Sequence, residues 1–339
     1  MYDVITIGGA TLDIFLDIHE AHSTLRQTQG SGQASKHGRV LKDESVEWLC
    51  FKKGEKIPLD RLNFDVGGNA ANVAVGLARL GIKTATNIHY GDDEISQKII
   101  TTLKNEGVGT EFAVQDANET SPISIIINFQ GDRTLFGHHI VRNHVLPQLS
   151  VPKWIYLTSV GEKWEDLYRQ TVEFAKTNNV KLAFNPGSHQ MDSGIDSFLE
   201  EVKAGYLLFV NKEEGKIIAK TDSDDPSTIL AQLQSLGPRI VSVTDGKNGA
   251  YAIDEKGQMF FINTFPHTPK ERTGAGDSYA SGFLSAIILG LDVSQAMRWG
   301  AVNAASVVST IGAEKGLLKK EEMEKCLSEN PQFMASSVV

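Results

Sequence analysis

The segment at residues 272–277 combines the residue types that phosphoryl transfer requires. It reads Arg-Thr-Gly-Ala-Gly-Asp, and a long apolar run follows it. Small residues before a helix leave the backbone N–H groups of Gly274, Ala275 and Gly276 uncovered, so these groups can converge on an anion at the helix N-terminus. Asp277 follows in the first helical turn, where a carboxylate can serve as general base toward an attacking hydroxyl. The motif fits an N-capping Asp after a glycine turn equally well.

The helix predicted after this segment favours the catalytic interpretation. Apolar residues cover most of its circumference, and serines form its only polar stripe, at Ser278, Ser281 and Ser285. Such a helix is buried, and Gly290 is suited to end it. A buried helix with a glycine-rich loop at its N-terminus is a rigid support for a charged site.

Composition narrows the class of protein. The chain has 339 residues, which allows two domains or one large α/β domain, and its formal charge is -9. An acidic chain has no basic surplus for general binding to nucleic acid or to an anionic membrane, although a local pocket for one nucleotide remains compatible. Cys50 and Cys326 form neither a disulfide framework nor a metal-ligand spacing. With no signal peptide and no apolar run of membrane-spanning length, we expect a cytoplasmic enzyme.

The second half of the chain alternates short apolar runs with helical stretches. The runs, at residues 154–159, 181–185, 206–211 and 240–244, are continuous, as in parallel strands that are covered on both faces. Each ends in a polar residue, namely Ser159, Asn185, Asn211 and Thr244. Any one of these residues would be an ordinary turn former. Together they predict a crevice at the carboxyl ends of the strands, where open parallel sheets bind ligands.

The first half contains a second type of region. A strand over Val4–Ile7 and a helix opened by residues 67–72 belong to the α/β pattern, whereas residues 18–62 are polar with strand-like pieces near residues 46–51 and 61–66. A hairpin is predicted at residues 122–136. The polar stretch contains histidines whose irregular spacing favours surface residues over metal ligands: His19, His22 and His37.

Two motifs resemble those of a known family. The sequence GGNAANVA at residues 67–74, followed by LARLG at residues 77–81, resembles the N-terminal signature of the ribokinase-like, or PfkB, carbohydrate kinases. The sequence GAGD at residues 274–277, followed by Gly282 and Phe283, resembles their C-terminal signature. The resemblance implies a doubly wound, mostly parallel α/β sheet with a small β lid. The core would comprise residues 1–17, 63–111 and 138–330, and the lid residues 18–62 and 112–137.

The resemblance also implies a reaction, in which the γ-phosphate of ATP passes to a hydroxyl of a sugar. Asp277 is similar to the catalytic base, and the anion hole corresponds to Gly274, Ala275 and Gly276. Substrate-binding positions are matched by Asp13, Gly68, Asn72 and, on the return from the hairpin together with Arg133, Asn143. Nucleotide-binding positions are matched by Asn185, Asn211, Thr244, Gly246, Thr273 and Asn303. Asn211 and Glu214 resemble the pair that orders Mg²⁺ through water.

Two other functions remain open. A nucleoside could replace the sugar, although no purine-stacking aromatic residue can be assigned near Asp13 or Asn72. A regulator that binds nucleotide without catalysis is the alternative from another class, but the retention of Asp277, Asn211 and Glu214 together speaks against it. Exposed strand edges of the lid also lead us to expect a homodimer.

The chain departs from the family pattern just before the anion hole. Glu271, Arg272 and Thr273 stand where the family commonly has Asp-Thr-Thr. In the resembling kinases that Asp helps to bind a monovalent cation, and the longer Glu271 need not reach the same position. Arg272 could supply the positive charge instead, or it could face solvent or pair with Glu271. We therefore expect weak dependence on monovalent cations.

Overall fold

The computed structural model describes residues 1–18, 39–43, 46–51, 53–54, 56–129, 132–138 and 140–338. His19, His22 and His37 lie outside these residues, so their interpretation stays a prediction. The chain divides into two compact units: the first spans residues 1–12, 65–123 and 138–339, and the second spans residues 13–64 and 124–137. The predicted boundaries of core and lid stay a prediction.

Strands and helices alternate through most of the first unit. The strands are β1 (Val4–Ile7), β2 (Thr11–Asp17), β3 (Arg39–Asp43), β4 (Val46–Cys50), β5 (Arg61–Gly67), β6 (Thr84–Asn87), β7 (His89–Tyr90), β8 (Val114–Gln115), β9 (Ile123–Phe129), β10 (Asp132–His138), β11 (Trp154–Thr158), β12 (Lys181–Asn185), β13 (Leu207–Asn211), β14 (Ile240–Thr244), β15 (Ala250–Ile253), β16 (Met259–Ile262) and β17 (Ser336–Val338). The helices are α1 (Asn69–Arg79), α2 (Glu94–Asn105), α3 (Glu165–Thr177), α4 (Ser188–Asp192), α5 (Leu199–Ala204), α6 (Lys212–Ala219), α7 (Pro226–Ser235), α8 (Ala275–Ile288), α9 (Val293–Val308) and α10 (Lys320–Glu329). In the described residues, no helix has the length and apolar character needed to cross a membrane.

The first unit is built on a nine-stranded sheet in the order β17-β16-β15-β14-β13-β12-β11-β1-β6. The strands from β6 to β14 in this order pair in parallel, and β15, β16 and β17 extend the sheet by antiparallel pairing. All residues of β11 are buried, as a strand covered on both faces requires. The predicted α/β class is therefore confirmed, and β12 and β14 occupy the predicted residues.

The α8 helix is the central support on one face of this sheet. Its buried residues pack with α1 and α9 in one apolar cluster. Asn303 of α9 is fully buried and donates through Nδ2 to the Ser278 carbonyl at 2.8 Å and to Ser281 Oγ at 3.2 Å. Its Oδ1 accepts from the Leu318 N–H at 3.1 Å. A fully bonded amide in an apolar interface fixes the register of α8 against α9.

The second unit contains a four-stranded sheet in the order β10-β9-β2-β5 and a separate β3-β4 hairpin. The Asn128 side chain of β9 donates to Asp17 of β2 at 2.8 Å. Ile18 and Phe129 form the centre of a small apolar cluster in this unit. The hairpin predicted at residues 122–136 is observed as β9 and β10, and β4 and β5 lie where the other strand-like pieces were predicted.

Candidate active site

The N-terminus of α8 has no side-chain cap. Gly274 is the N-cap residue, with a left-handed backbone at φ 76° and ψ 5°. A Cβ at this position would lie 2.7 Å from the Cβ of Ala313. The turn therefore requires glycine for two reasons, its left-handed conformation and its small size. The N-cap residue therefore supplies no side-chain acceptor for the backbone N–H groups of the first turn.

The predicted anion-hole donors are not equivalent. The Ala275 N–H donates to the Arg272 carbonyl at 3.3 Å, within the turn. Gly276 lies one residue further into the helix, where its N–H precedes the intrahelical hydrogen-bond ladder. A Cβ built on Gly276 would meet no atom within 4 Å, so open space adjoins this backbone. Gly276 therefore combines a backbone N–H outside the intrahelical ladder with open space beside it.

Asp277 is held by a side chain from another helix. Asn72 of α1 donates through Nδ2 to Asp277 Oδ2 at 2.8 Å. The Asn72 residue is only 4% exposed, and its buried Oδ1 has no hydrogen-bond partner within the described chain. Gly68 allows α1 to start here, because a Cβ at its φ of 92° would lie 2.6 Å from the Gly9 carbonyl oxygen. The sequence predicted Asn72 and Asp277 as site residues but not their direct contact.

The polar strand ends lie along one edge of the sheet. Asn211 and Thr244 are register partners at the ends of β13 and β14, and Asn185 ends the adjacent β12. Asn185 accepts a hydrogen bond from the Tyr156 hydroxyl at 3.3 Å and donates to the Phe209 carbonyl at 2.9 Å. Asn211 and Thr244 are thus in register with each other, whereas the pairing of Phe184 with Leu208 places Asn185 beside Phe209.

Two acidic groups, Asp277 and Glu214, affect the pKa of the Tyr156 hydroxyl. Burial raises the pKa of its hydroxyl well above the ordinary value, and the negative charges of Asp277 and Glu214 raise that pKa further. Asp277 of α8 and Glu214 of α6 thus act in the same direction on this buried hydroxyl.

Asn211 and Glu214 form a capping box at the start of α6. Asn211 Oδ1 accepts the Glu214 N–H at 2.8 Å, and Glu214 Oε2 accepts the Asn211 N–H at 2.9 Å. Burial raises the pKa of the Glu214 carboxyl, and the bond from the Asn211 backbone partly opposes that rise. In the described residues, no group of three or more His, Cys, Asp or Glu is arranged to hold a metal ion by itself.

The loop after β14 places two further predicted residues. Thr244 is half-buried, and Gly246 is exposed with a left-handed φ of 51°. The Asp245 N–H between them donates to the Gly249 carbonyl at 2.8 Å, and the Asp245 carboxylate lies 3.8 Å from Lys212 Nζ. This turn leaves the exposed Gly246 backbone at the edge of the sheet.

Glu271 ties the segment before α8 to the segment after α9. The Thr273 hydroxyl donates to Glu271 Oε1 in a short hydrogen bond, and the Gly312 N–H donates to Glu271 Oε2 at 2.8 Å. The Glu271 residue is buried, whereas Arg272 is exposed and makes no ion pair within the described chain. The structure therefore favours a solvent-facing Arg272 side chain over its pairing with Glu271.

Four further predicted residues remain, of which two belong to the second unit and two to the first. Asp13 and Arg133 belong to the second unit, where Asp13 is buried and Arg133 exposed. Asn303 lies behind the site, with its amide bonded to α8 and Leu318. Asn143 is exposed on a segment before β11 that forms neither helix nor strand. Tyr156 was not predicted, because an aromatic residue within a buried apolar run gives no sequence signal of a polar role.

Comparisons with known proteins agree with this architecture. The chain is 26% identical over 298 residues to the 5-dehydro-2-deoxygluconokinase of Clostridium tetani, covering 81% of this chain and 87% of that protein. It is 25% identical to the ribokinase of Bacillus subtilis, covering 82% and 92%. The solved structure of Arabidopsis thaliana ribokinase complexed with ribose and ATP superposes with a TM-score of 0.76 at 19% identity, covering 96% and 98%. Residues 41–320 match the pfkB family carbohydrate kinase description, so the chain belongs to this family.

Proposed function

We propose that this protein is an ATP-dependent sugar kinase in which Asp277 is the general base. Membership of the pfkB family makes the chain a phosphotransferase with an alcohol group as acceptor. The observation that carries the proposal is the hydrogen bond from Asn72 to Asp277 at the uncapped N-terminus of α8. A carboxylate held there stands beside backbone donors suited to an anion.

The proposed reaction uses these groups in one step. Asp277 takes the proton of the substrate hydroxyl, whose oxygen forms a bond to the γ-phosphorus of ATP while the bond to the β-phosphate oxygen breaks and ADP leaves. The Gly276 N–H, with those of Gly274 and Ala275, stabilises the negative charge on the transferred group. Ala275 would first have to exchange its 3.3 Å bond to Arg272.

Asn72 has two functions in this proposal. Its Nδ2 orients Asp277 and favours the ionised carboxylate, because a donor to a carboxylate stabilises the charged form. Its buried Oδ1, which has no partner in the described chain, is suited to accept a hydrogen bond from a sugar hydroxyl. Asp13, Gly68 and Asn143 remain proposed contacts to the other hydroxyls.

The nucleotide would lie across the carboxyl edge of the sheet. Thr244, Gly246 and Thr273 are proposed contacts to it, together with the strand-end residues Asn185 and Asn211. Asn303 contributes by fixing α8, since its own amide groups are engaged.

The oxygen groups of Asn211 and Glu214 suit a Mg²⁺ ion that is held mainly by phosphate and water. They fit it because Mg²⁺ prefers oxygen ligands and needs few from the protein when phosphates supply the rest. A bound Mg²⁺ would neutralise charge on the phosphates. The capping box holds both side chains in place for that contact.

The substrate class is tested with a panel under one set of conditions. ADP release is measured with 5-dehydro-2-deoxygluconate, ribose, fructose and a nucleoside, each with ATP and Mg²⁺, and the phosphorylated product is identified by mass. The proposal expects substrate-dependent ADP release with at least one sugar or sugar acid and none with Asp277→Asn at the same enzyme concentration. Turnover of the nucleoside alone would assign the alternative function, and nucleotide binding without any turnover would favour the regulator.

A further inference from the structure

A buried polar cluster lies away from Asp277, on the strand that follows β6. His89 of β7 places Nδ1 at 3.1 Å from Asp116 Oδ2. Arg142 makes a short ion pair with the same Asp116 carboxylate and also reaches the Thr120 carbonyl at 3.4 Å. His89 and Arg142 are 7% and 8% exposed. Burying a guanidinium and a carboxylate costs free energy. The segment that this cluster holds in place is therefore of interest.

The segment at residues 140–150 forms neither helix nor strand. Its burial alternates, with Arg142 and His144 turned inward and Val141, Asn143 and Val145 exposed. A segment outside a sheet has no ladder of backbone hydrogen bonds to define its position. Its backbone is held instead by the cluster, since the Val145 N–H donates to His89 Nε2 at 3.3 Å.

The hydrogen bonds define the state of the His89 ring. Nε2 accepts from Val145, so the remaining proton of the neutral ring lies on Nδ1 and is donated to Asp116. The chain of contacts therefore runs from Arg142 through Asp116 and His89 to Val145. Arg142 and Val145 lie on either side of Asn143 in the sequence. The Asp116 carboxylate holds Arg142, and the His89 imidazole holds Val145.

We propose that His89, Asp116 and Arg142 are positioning residues that present Asn143 to the sugar. This inference rests on the proposed function, because Asn143 is a proposed sugar contact. The cluster replaces the missing strand ladder of its segment, so it controls where the Asn143 amide lies rather than the chemistry at Asp277. Its effect is therefore on the binding of the sugar, and the nucleotide is unaffected.

The first test is Asp116→Asn, which retains the shape of the side chain and removes the charge shared by His89 and Arg142. The sugar KM is expected to rise about tenfold, the equivalent of one lost hydrogen bond, with kcat and the ATP KM unchanged. Asp3→Asn is the matched control. Asp3 pairs with Lys153 at 2.8 Å at the amino ends of β1 and β11, whereas His89 follows the carboxyl end of β6. Equal loss in kcat and in both KM values would overturn the proposal.

A second test uses His89→Asn, which retains a donor to Asp116 but has no acceptor within reach of Val145. Hydrogen exchange at the Val145 amide is expected to accelerate in this variant and to remain slow in Asp3→Asn. This readout needs no activity, so it separates the positioning role from the proposed function. Unchanged exchange at Val145 would overturn the positioning role even in an active kinase. Inactivity of the unmodified protein on every sugar, with accelerated exchange in the variant, would overturn the proposed function and with it the sugar-binding role of the cluster.

Discussion

The first turns of α6 and α8 each carry a carboxylate, Glu214 and Asp277, whose charge raises the pKa of the Tyr156 hydroxyl. The two helix termini differ in what satisfies their backbone N–H groups. At α6, Asn211 and Glu214 satisfy each other's N–H groups in a capping box. At α8, Gly274 provides no side chain, and Asp277 is bonded by Asn72 from another helix. A capping box satisfies backbone N–H groups within the helix terminus itself, whereas a terminus without a cap retains these donors for a ligand.

This difference separates stability from catalysis along one edge of the sheet. Substitutions at the α6 terminus should first affect the stability of the helix, because both side chains bond to its backbone. Substitutions at the α8 terminus should first affect turnover, because its donors have no partner side chain to lose.

The largest effect is expected for Asp277→Asn. The amide retains an oxygen acceptor for Asn72, so the fold should persist, but it cannot take a proton from the substrate. We expect kcat to fall by roughly 100-fold or more, the range for a lost general base. Nucleotide affinity, measured by calorimetry, should be unchanged.

The matched control for this variant is Glu213→Gln at the α6 terminus. Glu213 is also a first-turn carboxylate, but it is exposed and lies outside the proposed machinery. Its kcat should equal that of the unmodified protein. Near-normal turnover in Asp277→Asn would remove the assignment of the base.

Gly276→Ala is expected to have the second-largest effect, with activity and stability moving in opposite directions. The new methyl group meets no protein atom within 4 Å, so it enters the open space where we place the phosphate. The methyl group would keep the phosphate away from the Gly276 N–H. The contribution of one such donor is about 3 kcal/mol in the transition state. Replacing a helical glycine by alanine should meanwhile stabilise the protein by up to about 1 kcal/mol.

Gly274→Ala provides the contrast within the same loop. Its Cβ would collide with Ala313 in a left-handed backbone, so the midpoint of thermal unfolding should fall. If Gly276→Ala were fully active, the space beside it would not be the anion site. If it were inactive and also destabilised, the loss could not be assigned to the phosphate.

The parallel strands β11, β12, β13 and β14 were predictable because each is a largely apolar run. Lys181–Asn185 and Ile240–Thr244 were predicted at the observed residues for this reason. The antiparallel strands β15, β16 and β17 were not predicted. They are short, and Met259, Phe260 and Phe261 are only partly buried, so their pattern resembles neither a covered strand nor a clean alternation.

The site was predictable in its residues but not in its contacts. The Asn-x-x-Glu pattern at residue 211 fits a capping box and a magnesium site equally, and the two hydrogen bonds in the structure show that the box is formed. The pairs Asn72–Asp277 and His89–Asp116 join residues that are 205 and 27 positions apart. Contacts at such distances depend on how the elements pack, which no local pattern records.

Asn211→Ser separates the two functions of the α6 terminus. Serine caps a helix about as well as asparagine, so the free energy of unfolding should be retained, whereas Asn211→Ala should lose about 1 kcal/mol. If Asn211 also orders Mg²⁺ through water, both variants should need about tenfold more Mg²⁺ for half-maximal activity. The titration is followed at saturating sugar and ATP. An unchanged Mg²⁺ requirement in both variants would restrict Asn211 to capping.

The smallest effect is expected from monovalent cations, whose proposed place lies beside the open terminus. A cation in this loop would need oxygen atoms, and the Glu271 carboxylate already accepts from Thr273 and from the Gly312 N–H. The loop is therefore closed by its own donors, as the α6 terminus is. Turnover should change little among potassium, sodium and a bulky organic cation at constant ionic strength. Glu271→Gln should lower stability, because its amide can accept only one of the two bonds and would place a donor against the other. Strong activation selective for potassium in the unmodified protein would show that the loop binds an ion despite these bonds.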